Sequence, residues 1–511
     1  MRTKGILVAS ALTLSLLGAA AGLGGCYSLG SDCKFNYDCG AGGDGGSGGS
    51  TGGGGTGGAP PGCIPSNNST PVDDSCGVFV SSTRGDDTNA GTKEKPVTTL
   101  GMAISMSGGK PIYLCGEALL ETVSIDANVV VYGALDCAAD WKYDASKPTE
   151  LSASGDQVPV SISSGSRLDM YDVHVKADDA LSPGSSSIGI LAEADATLNL
   201  TRCKVSAGKG ADGASFDPPA DPAQMGADGP EGGNACMASQ TITADPPTTS
   251  CGDVQSVGGP GGVGLSNSAS PGGPGEPQGA MNGGQAEGAT ACTDGGAGDA
   301  GMTGAPGDGA SSLGSLQAGI GYVPSPGADG KAGSPGQGGG GGGGSKGGTG
   351  AGKCQVAATA GGASGGAGGS GGCGGAGGKG GGGGGASIGI ATLGAKLTFS
   401  DVTIETSAGG NGGNGGVGQT GGIGGKGGIG GSKGAAVNLK NGCAGGDGGT
   451  GGDGGKGGGG RGGHSIGIAH TGAAPDTTGA TITVGTAGNG GAGEGATGGG
   501  QTGVADKLQA F

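Results

Sequence analysis

Aromatic residues make up only 3% of the 511-residue chain, a single Trp among them. Rings supply much of the volume of a compact core, so one large core of ordinary build is excluded at this length. Histidine occurs three times, as His174, His464 and His470, with no HExxH, no Ser/His/Asp spacing and no nucleophile elbow. The usual signatures of zinc hydrolases and serine nucleophiles are therefore missing. No Gly-rich stretch ends in Gly-Lys-Ser/Thr after a strand, which removes phosphate loops. Basic residues are also few: 25 Lys and Arg face 42 Asp and Glu, a formal net charge of −17. That balance repels phosphate backbones, so no nucleic-acid partner is expected. Beyond residue 25, no apolar run approaches the roughly 20 positions that a spanning helix needs.

Glycine is what the chain has instead: it numbers 141. Most of it must lie in extended or turn-rich structure. Its period is irregular and Pro numbers only 24, which argues against a collagen triple helix. One phrase recurs: Ser187-Ile188-Gly189-Ile190, Ser387-Ile388-Gly389-Ile390 and Ser465-Ile466-Gly467-Ile468. Each is followed in near-constant phase by Cys203, Val402 or Ala480, the mark of one recurring structural unit.

At the N-terminus, Arg2 and Lys4 precede an apolar stretch, Ile6 to Leu17, too short for a usual membrane span, and Leu23-Gly24-Gly25-Cys26 follows. This resembles a bacterial lipobox; the competing reading is an ordinary secretory signal cleaved near Ala21. The resemblance implies removal of residues 1–25 and a lipid on Cys26. With Tyr27 and Ser28 next and no Asp, it implies sorting to the outer membrane, with the bilayer as a partner through lipid alone. Residues 26–75 read as a Gly/Ser-rich tether holding Cys33, Cys39 and Cys63.

Short strand-like pieces begin at Cys76. Val78-Phe79-Val80, the turn Arg84 to Thr92, Lys95-Pro96, a short helix around Leu100 to Ile104, Ile112-Tyr113-Leu114 with Gly116, and Val129 to Gly133 follow in order. Across this whole stretch the order resembles the start of pectin-lyase-like right-handed parallel β-helix proteins. The repeats Leu168-x-Met170-x-x-Val173-x-Val175, Leu198-x-Leu200-x-x-Cys203-x-Val205 and Leu397-x-Phe399-x-x-Val402-x-Ile404 independently give two period-2 runs with a phase slip between them. In the last unit Pro475 and Thr477 replace the Leu and the aromatic, as suits a terminal coil. The expected fold is all-β: a right-handed parallel β-helix (solenoid) with long Gly-rich loop insertions. Its cap and first coils occupy 76–206, one coil 386–405, and the terminal coil and tail 464–511.

The intervening 207–385 and 406–463 are dominated by Gly-Gly-x and resemble the polymorphic Gly-rich repeat (PGRS) proteins of bacterial surfaces. Two structures compete for them: flexible coil, or polyglycine-II-like packing in which only Gly fits at interior positions. Cys236, Cys251, Cys292, Cys354, Cys373 and Cys443 punctuate these tracts and argue for order.

Fourteen cysteines in an exported chain read as a disulfide framework. Setting aside Cys26 for lipid and Cys203 for the apolar interior leaves Cys33, Cys39, Cys63, Cys76, Cys115, Cys137 and the six above. Proximity suggests Cys33 with Cys39, Cys63 with Cys76, and Cys115 with Cys137; the remaining six allow 15 connectivities.

Asp169 with Asp172, and Asp178 with Asp179, offer paired carboxylates of the kind a polysaccharide-cleaving β-helix uses, but ordinary solvated residues on the polar faces of strands are the favoured reading of them. Asp86 and Asp87 suit turn capping. Asp447 and Asp453 sit in a Gly-rich run that lacks the apolar residue of calcium-binding nonapeptides. No catalytic residue, metal or cofactor is therefore expected. The reading is a lipid-anchored envelope or surface protein with a structural, adhesive or matrix-binding role. Polysaccharide or surface proteins are its candidate partners, and a carbohydrate-binding or carbohydrate-cleaving protein is the alternative.

Overall fold

The computed structural model describes residues 61–67, 70–217, 219, 221–243, 245–277 and 281–511. Cys26, Cys33 and Cys39, and with them the signal and most of the tether, lie outside the described residues. Among the described residues the protein is built largely from strands, with one α-helix, Leu100–Ser107.

Three parallel sheets are laid down in rotation. From Ala118 the chain places a strand in a second sheet (Ala118–Leu120), a third (Val123–Ile125) and then the first (Asn128–Asp136), and repeats that order. The first sheet ends with Thr197–Thr201 and Lys396–Ser400, the second with Val402–Thr406 and Ala480–Thr483, the third with Ser465–His470 and Ala505–Ala510. Equivalent residues stack in register: Leu168 on Leu198 on Leu397, and Val175 on Val205 on Ile404. These side chains form one buried apolar column through the stack, and Cys203 joins it as a free, buried thiol.

The phase slip read from sequence has a local cause. Between the first and second sheets one residue adopts a left-handed conformation: Asp172, Arg202 and Asp401 in successive circuits, and Gly479 in the last. One such residue turns the chain through a corner and resets which side chains face inward. At the other end, the Leu100–Ser107 helix covers the column with Leu100 and Ala103. Thr99 caps it by accepting from the Met102 amide, and Gly108 ends it in the left-handed region.

The recurring Ser-Ile-Gly-Ile is also explained by packing. Ile190, Ile390 and Ile468 enter the central column, whereas Ile188, Ile388 and Ile466 belong to a separate outer cluster, although the two sets lie close in sequence. The strand slips phase at the Gly between them. A Cβ on Gly189, Gly389 or Gly467 would fall closer than 3.0 Å to the side chain of Val205, Ile404 or Ile482 respectively. The serines hold the corner where the chain departs: Ser187 Oγ accepts from the Gly208 amide at 2.8 Å, and Ser387 Oγ from the Ser407 amide at 2.9 Å.

All three long excursions, 208–386, 407–464 and 484–504, leave after a second-sheet strand and return into a third-sheet strand. The last of these, with the closing strand Ala505–Ala510, occupies the stretch expected as terminal coil and tail. Their Gly tracts run extended, and neighbouring tracts are joined by backbone bonds at every third residue. Gly327, Gly330, Gly333, Gly336, Gly339 and Gly342 donate in turn to Gly381, Gly378, Gly375, Gly372, Gly369 and Gly366. Successive residues address different neighbours: Gly339 donates to Gly369, Gly340 to Gly296 and Gly341 to Gly273. That is a backbone with about three residues per turn, each turn bonded outward rather than to itself.

The unbroken glycine run Gly338–Gly344 is buried throughout and touches neighbours on every side, so each member would drive a Cβ into neighbouring backbone. Where one of the three faces is open, the pattern relaxes to Gly-Gly-x: Gly421, Gly422, Gly425 and Gly428 are buried while Ile423, Lys426 and Ile429 are exposed. Disulfides Cys236–Cys354 and Cys251–Cys373 staple the first excursion internally, and Cys292–Cys443 joins it to the second. Cys63–Cys76 and Cys115–Cys137 lie near the helix-covered end.

Candidate functional site

The carboxylates named from the sequence are each committed to a local partner and do not converge. Asp169, on the outer face of the first sheet, pairs with Arg167 at 3.0 Å and accepts from Asn199 at 2.5 Å. Asp172, at the corner, accepts from Arg202 Nε and Nη2, each at 2.7 Å, and from the Tyr143 hydroxyl at 2.9 Å. Asp178 lies 3.7 Å from Lys176, and Asp179 accepts from the Lys209 amide. Asp86 bonds Thr88, and Asp87 bonds the Thr98 and Thr99 amides at the helix start. Among the described residues no group of three or more His, Cys, Asp or Glu is placed to hold a metal.

His174 and His464 are structural in position. His174 Nε2 lies 2.6 Å from Ser206 Oγ on the outer face of the second sheet, and burial pushes its pKa down. His464 is fully buried between Tyr322 and Phe511. Its Nδ1 accepts from the Val504 amide at 2.9 Å, so Nε2 carries the proton and donates to Leu313 O at 2.8 Å. One ring thus ties the returns of the second and third excursions to the Leu313–Tyr322 part of the first, and desolvation keeps it neutral.

Two repetitive surfaces remain. On the first sheet, Phe79, Tyr113, Tyr132 and Tyr171 stack at 4.7–5.6 Å between ring centres. The N-terminal segment covers one end, where the Tyr113 hydroxyl donates to Cys63 O, while Tyr171 is half-buried at the other. Beside it run Asp169, Asn199 and Thr398 in register. Period-2 reading of the individual strands carries this ladder, but only the register reveals it.

The second surface is the open face of the Gly bundle. Val417, Ile423 and Ile429 are 55–63% exposed at regular intervals along one row. At about 3.1 Å per residue they stand roughly 19 Å apart along that rigid row. Lys426 lies between them, bonded to Asp447 at 2.8 Å; that contact lowers the Asp447 pKa and raises that of Lys426. Asp453 accepts from the Gly421 amide. The Gly-Gly-x period marks these side chains as outward, although nothing in the sequence says which rows are neighbours.

No protein-family model, curated protein or solved structure matches the chain. Among the described residues no helix is long and apolar enough to cross a membrane.

Proposed function

We propose that this is a lipid-anchored protein of the bacterial outer membrane, in which a right-handed parallel β-helix carries a polyglycine-II-like body on one corner. Its role is structural, adhesive or matrix-binding, without catalysis. One observation carries the reading: three separate excursions leave the scaffold at the same corner and pack into a single hydrogen-bonded, disulfide-stapled body with regularly spaced outward side chains. A rigid body on a rigid stalk suits multivalent contact, because little ordering entropy is lost on binding.

The half-buried Tyr171, which ends the ring stack, beside Asp169, Asn199 and Thr398 favours a second reading, carbohydrate binding along the first sheet. Flat aromatic and amide groups in a row suit sugar rings. Oxidised protein is incubated with a panel of cell-wall and extracellular polysaccharides, scoring retention and release of new chain ends. Retention without release supports a binding scaffold, whereas release refutes the non-catalytic role. Replacing Cys26 by Ser is expected to abolish fatty-acid labelling and membrane fractionation; unchanged labelling refutes the anchor.

A further inference from the structure

The first sheet has no strand in the Ser465 circuit, through which both other sheets continue. From the Ser387 circuit to the Ser465 circuit both continuing sheets advance by the same number of residues, Ile388 pairing Ile466 and Val402 pairing Ala480. The same register would set Pro475 beside Leu397 and Thr477 beside Phe399. In that register Ala474 and Asp476, not Pro475, would turn their backbone groups toward the Lys396–Ser400 strand, yet residues 471–479 form no strand. Their loop stands off, leaving a cleft of about 600 Å³ between Lys396–Phe399 and Ala473–Asp476.

Three features of the cleft describe its occupant. Lys396 donates to Ala196 O and Ser400 accepts from Arg202, so the alternate residues Leu397 and Phe399 direct their backbone groups away from the sheet, into the cleft. Among the described residues no backbone bond meets Leu397 or Phe399 from the 473–478 loop. The apolar column is also less covered here: Leu397 and Phe399 are each 7% exposed, where Leu198 and Leu200 above them are 0% and 1%. The cleft is thus one strand wide, with ladder partners on one wall and an unfinished apolar layer on the inside.

We propose that this edge is a strand-addition site for an extended segment of another polypeptide, of the pattern apolar-polar-apolar. Its apolar side chains would continue the Leu198–Leu397 and Leu200–Phe399 stacks, its polar residue would follow Asn199 and Thr398 outward, and an acidic residue before them would meet Lys396. Main-chain bonds supply the attraction and the two inward positions the selectivity. Gly479, whose backbone crosses against Phe399 O, closes the far end and fixes the length that fits.

The test uses the full oxidised chain and a short synthetic peptide centred on Glu-Val-Thr-Leu-Thr. Controls are a scrambled peptide and the same peptide N-methylated at alternate amides. Saturating peptide should slow exchange of the Leu397 and Phe399 amides by about tenfold or more, and both controls should fail. In the variant Pro475→Leu with Thr477→Leu, the chain's own loop should complete the rung, and peptide binding should disappear while the melting temperature holds or rises. Four outcomes overturn the proposal: no protection with any peptide, equal protection by the scrambled peptide, protection already present without peptide, or concentration-dependent pairing of this edge between two copies.

Discussion

Replacing Gly341 by Ala tests the packed bundle at its centre. Gly341 donates to Gly273 O, accepts from Gly284, and lies beside Pro260, whose carbonyl accepts from Gly273. An added Cβ would fall closer than 3.0 Å to Pro260 O, Pro260 C and Gly261 N, all of them backbone. No rotamer change relieves that contact, so a neighbouring row must shift by roughly 1 Å. Such a shift strains or breaks about three buried backbone bonds at about 1 kcal/mol each, so the expected loss is about 3 kcal/mol. Gly288→Ala is the control, because its Cβ would meet nothing within 4 Å and its backbone is not left-handed. That variant should be neutral or gain up to about 1 kcal/mol. Denaturant midpoints of the two oxidised variants, read with amide exchange across 338–344, decide the matter. Equal midpoints would refute close packing and return these tracts to flexible coil.

In the recurring phrase, Gly389→Ala drives a methyl toward Ile404 in the central column. The expected cost is about 2 kcal/mol, at the usual scale of an overpacked core. Ser387→Ala loses the acceptor for the Ser407 amide, which should cost about 1 kcal/mol. Thermal melts rank the two variants, and the reverse order contradicts the packing argument. His464 is depressed by burial, partly offset by its bond to Leu313 and reinforced by Arg461. A depressed His stays neutral in the folded chain while the unfolded chain takes up a proton. Stability is therefore full above the unfolded value near 6.5 and falls below it, by at most about 1.4 kcal/mol per pH unit. Urea midpoints at pH 7.5 and 5.5 should differ more for the parent than for His464→Gln; an equal difference removes His464 from the linkage, leaving His174. Cys292 and Cys443 are bonded across a sequence separation of 151. Cys292→Ser with Cys443→Ser should therefore lose about 3–5 kcal/mol, seen as a lower midpoint under oxidising conditions.

The scaffold was legible because its side chains differ from one another. Leu168, Leu198 and Leu397 announce inward positions by alternation, and the slip after Met170, Leu200 and Phe399 announces a corner, although the left-handed residue that makes it is Asp in two circuits and Arg in the third. Ser-Ile-Gly-Ile was visible as a repeat, but not why it repeats, since the contact that demands Gly389 comes from Ile404, one sheet away. The Gly tracts were harder for the opposite reason. Rows of Gly-Gly-x are chemically alike, so the period tells which residues point outward but not that Gly339 donates to Gly369 rather than to another glycine. The six cysteines there carried pairing information, yet their 15 connectivities were equivalent until the rows had been placed.

What selects one arrangement among similar rows is the chemistry of x. A row at the edge of the bundle has backbone amides with no neighbouring row to accept them, and a slip by three residues would exchange one glycine contact for an identical one. The amides of Asn411, Lys426, Ser432 and Ala444 are each met by a side-chain oxygen, from Asp212, Asp228, Asn234 and Asp294 in turn. Gly427 and Gly380 are met in the same way by Asp447 and Asp329. A slipped row would leave those amides without acceptors and those carboxylates without donors, so register becomes costly to lose at the edges while it stays degenerate in the all-Gly centre. Carboxylate and carboxamide oxygens can serve here and lysine cannot, because its ammonium only donates. Part of the excess of 42 acidic over 25 basic residues is therefore a consequence of building a body from glycine rows, and need not reflect the charge of a partner.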